Sequence, residues 1–154
     1  MALLGVSFVA ARASPPAAVI PAKLQNQYRQ LEVRAARQHG AQQSQSLARL
    51  AVLQEQFAEA GFAAGQPGLA LPRLGAVRRL ADQAMIFLRA EVAQGKTSGM
   101  REVEMSFQRI TFRLRGLAQQ VPYQQRAAVL DLRGHLENLR GQLLNLMFAP
   151  KKKR

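Results

Sequence analysis

Apolar residues recur at helical spacing along most of the chain, and this spacing is most regular after residue 99. Between Met100 and Val121 they alternate three and four positions apart, which fills the a and d positions of three heptads. This seam comprises Met100, Val103, Phe107, Ile110, Leu114, Leu117 and Val121. After Pro122 the spacing resumes, with Val129, Leu132, Leu136, Leu139, Leu143 and Leu146. The pattern predicts two helices, over 99–121 and 123–148, that pack as a hairpin.

Weaker patterns predict three earlier helices, over 22–39, 44–61 and 72–94. The glycines and proline of GFAAGQPG indicate a loop before the last of these, which we expect to open near Pro72. Residues 36–46 contain few apolar side chains, so they fit either an exposed length of helix or a linker. Together the five predicted helices form one helical domain over residues 22–149.

The two ends of the chain differ from this domain. Residues 1–21 contain Pro15, Pro16 and Pro21, which predicts an extended arm or a leader. Residues 150–154 form a short basic tail.

Composition supports an all-α fold. Hydrophobic residues make up 48% of the chain but aromatic residues only 6%, so the apolar content is mostly Ala and Leu, which favour helices. A length of 154 residues suits one domain. We therefore predict an all-α antiparallel helical bundle or coiled-coil hairpin.

The last predicted helix carries further features outside its seam. Gly134 and Gly141 lie seven residues apart on the opposite face, where each costs about 1 kcal/mol relative to alanine unless another backbone approaches closely. Leu130 and Leu144 indicate a second contact surface. More than two helices should therefore meet here, within one chain or between chains.

The chain is strongly basic, with 22 Lys and Arg against nine Asp and Glu and a formal charge of +13. Most of the excess lies after residue 72. Off the heptad seam stand Arg101, Arg109, Arg113 and Arg115. Because few acids are available for i to i+4 pairing with these arginines, we expect them to face outward and to contact an anion.

The tail residues Lys151, Lys152, Lys153 and Arg154 extend this basic character. The sequence PKKKR resembles short nuclear-localisation signals, and it could equally contact phosphates, contact anionic lipid or only aid solubility. Localisation stays open, with an intracellular site favoured and a nuclear one possible.

Catalytic and cofactor motifs do not stand out. The chain has no cysteine, and its two histidines, His39 and His135, lie far apart without metal-ligand spacing. Glu102 and Glu104 face different directions on a helix, and GKTSG lacks the first glycine of a phosphate-binding loop. We predict no enzyme activity, no cofactor and no metal.

An exported protein is one alternative. MALLGVSFVAARA has a short apolar core and an A-x-A pattern, but no basic residue precedes that core as in secretory leaders. The segment PYQQRAAVLDLRGHLENLRGQL loosely resembles the helices of small periplasmic chaperones, with Val-Pro in place of their opening Leu-Thr. Such a resemblance would imply a helical chaperone-like function.

The function predicted from these features is that of a non-enzymatic helical assembly or structural protein. It would be a homo-oligomer or part of a larger complex, and its basic half would contact a polyanion, most plausibly nucleic acid. A protein lying on an anionic membrane surface is the other alternative.

Overall fold

A computed structural model describes residues 20–150 of the protein. These residues form five α-helices and no strand, which confirms the all-α prediction for this range. The helices are α1 (Ala22–Arg37), α2 (Gly40–Ala63), α3 (Pro67–Ala93), α4 (Met100–Gln120) and α5 (Tyr123–Phe148). Most of the predicted arm and the cationic residues of the tail lie outside the described residues.

Two helix starts differ from the sequence-based prediction. The break between α1 and α2 is confined to Gln38 and His39, so α2 begins four residues earlier than expected. The third helix begins at Pro67, and Pro72 lies inside it. Proline is favoured at a first helical position because the N–H that it lacks would have no partner in the helix there. Pro67 therefore starts α3 and does not belong to the preceding loop.

The predicted seams of α4 and α5 form the centre of the hydrophobic core. All seven residues of the first seam are buried, six of them in α4 and Val121 just after it, and so are five of the six in α5, while Leu146 is partly buried against them. Ridges at this spacing let neighbouring helices interdigitate over their whole length. The expectation that both helices bury these faces is confirmed.

α2 and α3 make the most extensive contact between any two helices of the described chain. Alanines bring them together: Ala48, Ala51, Ala58, Ala70, Ala81 and Ala84 are completely buried. At Gly61 a Cβ would stand only 3.0 Å from the Cβ of Ala70, so a larger residue would push the helices apart. Small side chains thus set the spacing of this pair.

Polar pairs show how α3 and α5 are aligned. Arg78 contacts Asp131, Asp82 contacts His135, and Arg89 contacts Gln142. The partners are 53 residues apart in every pair. A constant offset requires the two helices to run in the same direction.

Contacts between α2 and α4 fix the start of α4. Gly99, the residue before α4, has a φ of 86° and lies so close to α2 that a Cβ would be 3.2 Å from the Cβ of Ala41. A positive φ strains any residue with a side chain, and this close approach excludes one as well. Further along, Arg113 of α4 contacts Glu55 of α2.

The glycines and leucines of α5 that lie outside its seam are not covered by another helix of the described chain. A Cβ at Gly134 or Gly141 would meet nothing within 4 Å in the described chain, so close backbone approach is wrong as the reason for these glycines here. Leu130 and Leu144 remain exposed. Within residues 20–150 no helix uses this face of α5.

Candidate anion-binding surface

Most of the acidic side chains are already engaged in ion pairs. All nine acids lie among residues 20–150, and seven of them contact a basic side chain. Of the 17 Lys and Arg side chains in the same range, five form these pairs, which leaves 12 with no acid within 4.0 Å there. The basic excess is therefore presented to the surroundings of the protein.

Arg113 is an exception among the predicted anion-contacting residues. Its Nε lies 2.7 Å from Oε2 of Glu55, which is completely buried, and its Nη2 contacts Glu59. The scarcity of acids within one helical turn does not leave Arg113 unpaired, because both partners come from α2, more than 50 residues away in sequence. Its charge is used inside the fold.

The buried carboxyl of Glu55 has an altered affinity for protons. Burial raises the pKa of Glu55 to about 7, while Arg113 opposes the rise and Glu59 adds to it. Arg113 Nε and Glu55 form a close ion pair without an aligned hydrogen bond. The attraction of Arg113 therefore does not fully offset the loss of hydration at Glu55.

Arg101, Arg109 and Arg115 stand on the exposed side of α4, as the heptad pattern indicates. None of the three has an acidic partner within the described range. They occupy separate parts of the surface, since Arg109 faces a groove beside α1 and Arg115 faces α5. The cationic side chains Lys151, Lys152, Lys153 and Arg154 lie outside the described residues.

Arg115 joins two arginines of α5 around one surface hollow. Together with Arg126 and Arg133 it lines a concavity of about 380 Å³ between α4 and α5, to which Ala118, Gln119 and Leu130 also contribute. We call this feature the arginine hollow. None of the described residues that line it is acidic, so three guanidinium groups face one another across it without a carboxylate among them.

The three guanidinium groups differ in how they are held. Arg133 forms an ion pair with Glu137 one turn later, at 2.9 Å. Arg115 is exposed, and Arg126 is half-buried, with an Nε that has no hydrogen-bond partner in the described chain. An unsatisfied buried donor is unfavourable.

Sequence reasoning missed Arg126 and Arg133. They are seven residues apart and therefore share one face of α5, a signal that the sequence does contain. Their approach to Arg115 depends on how α4 and α5 are placed side by side, which no local pattern gives.

His135 has an acidic partner that its neighbours in sequence do not supply. Its Nε2 lies 2.6 Å from Oδ1 of Asp82 on α3. The pair belongs to the α3–α5 contacts described above. Within the described residues no group of three or more His, Asp or Glu side chains is placed to bind a metal ion.

Comparisons of the chain with protein families, characterised proteins and solved structures found no match. None of the five helices is both long and apolar enough to cross a membrane.

Proposed function

We propose that the protein is a non-enzymatic helical assembly protein that binds a polyanion, most plausibly nucleic acid, through its arginine-rich surface. The observation that carries the proposal is the arginine hollow, where Arg115, Arg126 and Arg133 converge from two helices without an acid among the residues that line it. Arg101 and Arg109 add further arginines without acidic partners in the described chain, on other parts of the surface of α4.

Guanidinium groups suit phosphate because their planar array of N–H donors can bind two of its oxygens at once. A hollow of about 380 Å³ can admit one phosphate group together with its first waters. Binding of this kind gains free energy from the release of counterions and reads little of the base sequence. The described surface has few aromatic side chains on which bases could stack, so backbone contact is the proposed mode.

The hollow requires a defined relation between α4 and α5, and we propose that they form an antiparallel hairpin. Only Val121 and Pro122 separate the two helices. Arg140, late in α5, contacts Glu104, early in α4, at 2.7 Å. In such a hairpin Arg115 lies near the first turns of α5, where Arg126 is found.

Assembly into an oligomer or larger complex is the second part of the proposal. Large apolar side chains are exposed on both helices of the hairpin, among them Phe112, Leu130 and Phe148. Covering them would remove apolar surface from water. The mass of the native protein in solution, measured with and without nuclease, tests both parts together: a multimer that sheds mass on nuclease treatment is expected, and a bare monomer would contradict both.

The role of the arginine hollow is tested with a triple variant, Arg115→Gln, Arg126→Gln and Arg133→Gln. Its control replaces Arg29, Arg37 and Arg79, three exposed arginines without acidic partners in the described chain, so both variants lose the same charge. Binding to a labelled DNA duplex should weaken at least about tenfold more in the hollow variant than in the control.

Equal losses in the two triple variants would mean that only the total charge matters. Vesicles of anionic phospholipid provide a second arm of the same experiment. If the protein binds the vesicles and does not bind the duplex, its anionic partner is a membrane surface and not nucleic acid.

A further inference from the structure

A groove runs along α2 between α1 and α4. Both flanking helices pack on α2, and in the described chain they do not pack on each other. The space left between them is about 550 Å³. The floor of the groove is one face of α2, and its walls are one face of each neighbour.

The bottom of this groove is apolar. Side chains from all three helices contribute: Leu24, Leu31, Val52, Leu53 and Met105. Met105 is 49% exposed although it stands beside the core. Methionine adapts its shape to different partners. Leu24 and Leu31 lie seven residues apart and so share one face of α1.

The rim of the groove is positively charged. Arg34, Arg49 and Arg109 line it, one from each helix, and none of them has an acidic partner among the described residues. Glu102 is the only acid among the described lining residues. The rim therefore complements a negatively charged occupant.

The three arginines lie at nearly the same level along the groove. Ser46 of α2 donates a hydrogen bond to Gln38 beyond the end of α1, so Arg34 and Arg49 lie toward that end. Gly99 approaches Ala41 and Arg113 contacts Glu55, so α4 follows α2 in the same direction, and the common offset of 58 residues places Arg109 level with Ala51, close to Arg49. Positive charge thus gathers at one level of the groove, beside its apolar floor.

We propose that this groove binds an amphipathic helix of a partner protein, with acidic residues flanking its apolar face. The wall of α1 from Leu24 to Arg34 is about 15 Å long, which accommodates roughly ten residues, or three turns, of the bound helix. Leucine-like side chains at i, i+3, i+4 and i+7 would enter the apolar floor. Acidic side chains beside them would pair with the rim arginines.

A second copy of this chain does not fit the same requirement. Seven of the nine acids contact a basic side chain within the fold, and Glu102 already lines the groove. Only Glu32 remains free in the described chain. The occupant is therefore a different protein, and the inference does not depend on polyanion binding.

The test uses a labelled synthetic peptide of about 14 residues, long enough for four helical turns. It carries Leu at i, i+4, i+7 and i+11, Glu beside them, and Ala elsewhere. A second peptide of equal composition spreads its Leu and Glu around the helix. Fluorescence anisotropy with the full chain should show binding of the first peptide at least about tenfold tighter than of the second.

A pair of variants locates the binding site on the protein. Met105→Glu places a carboxylate in the groove and should weaken binding at least about tenfold. Ile86→Glu makes the same change at a side chain of α3 that is 61% exposed and outside the groove, and binding should stay within about twofold. Circular dichroism of both variants confirms that each is folded.

Several outcomes would overturn the proposal. Equal affinity for the two peptides, or an equal loss in the two variants, would show that charge alone drives binding. Loss of vesicle binding by Met105→Glu without an effect on the peptide would assign the groove to lipid. A change in oligomeric mass caused by Met105→Glu alone would assign it to a second copy of the chain.

Discussion

Arg113 on α4 reaches across to Glu55 on α2, bringing its Nε within 2.7 Å of a carboxylate that is completely buried. The same guanidinium contacts Glu59 one turn further along α2. An arginine that sequence spacing assigns to the outer surface thus ties two helices together. The remaining exposed arginines of α4 have no such internal role in the described chain.

Substitutions at Arg113 and Arg115 distinguish an arginine that stabilises the fold from one that is exposed. Arg113→Gln leaves Glu55 buried without its counter-ion and should lower the free energy of unfolding by about 3 to 5 kcal/mol at roughly pH 8. Arg115→Gln, two residues away on the exposed side, should change it by less than about 0.5 kcal/mol. Urea denaturation measures both. If both variants lower the free energy of unfolding only slightly and by similar amounts, the Arg113–Glu55 pair does not stabilise the protein.

Glu55 should make stability depend on pH. Its pKa in the folded protein is raised from 4.5 to about 7, so the native state holds this proton more tightly than the unfolded chain. The stabilising contribution is full below pH 4.5 and is lost as pH rises to about 7. Glu55→Gln cannot titrate, so this decline should be absent from its stability profile, and parallel profiles of variant and wild type would argue against the assignment.

Truncating the seam tests the core. Ile110→Ala and Leu136→Ala remove completely buried side chains and should each lower the free energy of unfolding by about 2 to 5 kcal/mol. Phe112→Ala removes a larger side chain that is 77% exposed and should cost less than about 0.5 kcal/mol. A reversed order in chemical denaturation would mean that the seam faces solvent.

Replacing two glycines by alanine should change the stability of the protein in opposite directions. Gly134→Ala places a methyl group in open space within α5 and should stabilise the protein by about 0.5 to 1 kcal/mol. Gly99→Ala forces a side chain onto a residue with φ of 86° and against α2, so it should destabilise by at least about 1 kcal/mol. Thermal unfolding of both variants distinguishes these outcomes, and loss of stability in Gly134→Ala would indicate an unseen contact on that face.

Sequence patterns predicted the features that depend on neighbouring residues. The seams of α4 and α5 follow from local spacing, because one helix turn brings residues three and four apart together. The partners of Arg113 could not be predicted in this way, since Glu55 and Glu59 come close only after α2 and α4 pack. The arginine hollow and the groove beside α1 likewise exist only between helices. The start of α3 was misplaced because Pro67 fits both a loop and a first helical turn.

The measurement that tests polyanion binding most directly is the salt dependence of affinity for a DNA duplex. If the arginine surface binds phosphates, the logarithm of the association constant should fall steeply and linearly with the logarithm of salt concentration, almost independently of base sequence. Replacing Arg115, Arg126 and Arg133 by Gln should lower the magnitude of that slope by about 2 to 3, because each phosphate that is no longer neutralised reduces it by about 0.9. A wild-type affinity that does not change with salt, or a slope left unchanged in the triple variant, would contradict the account.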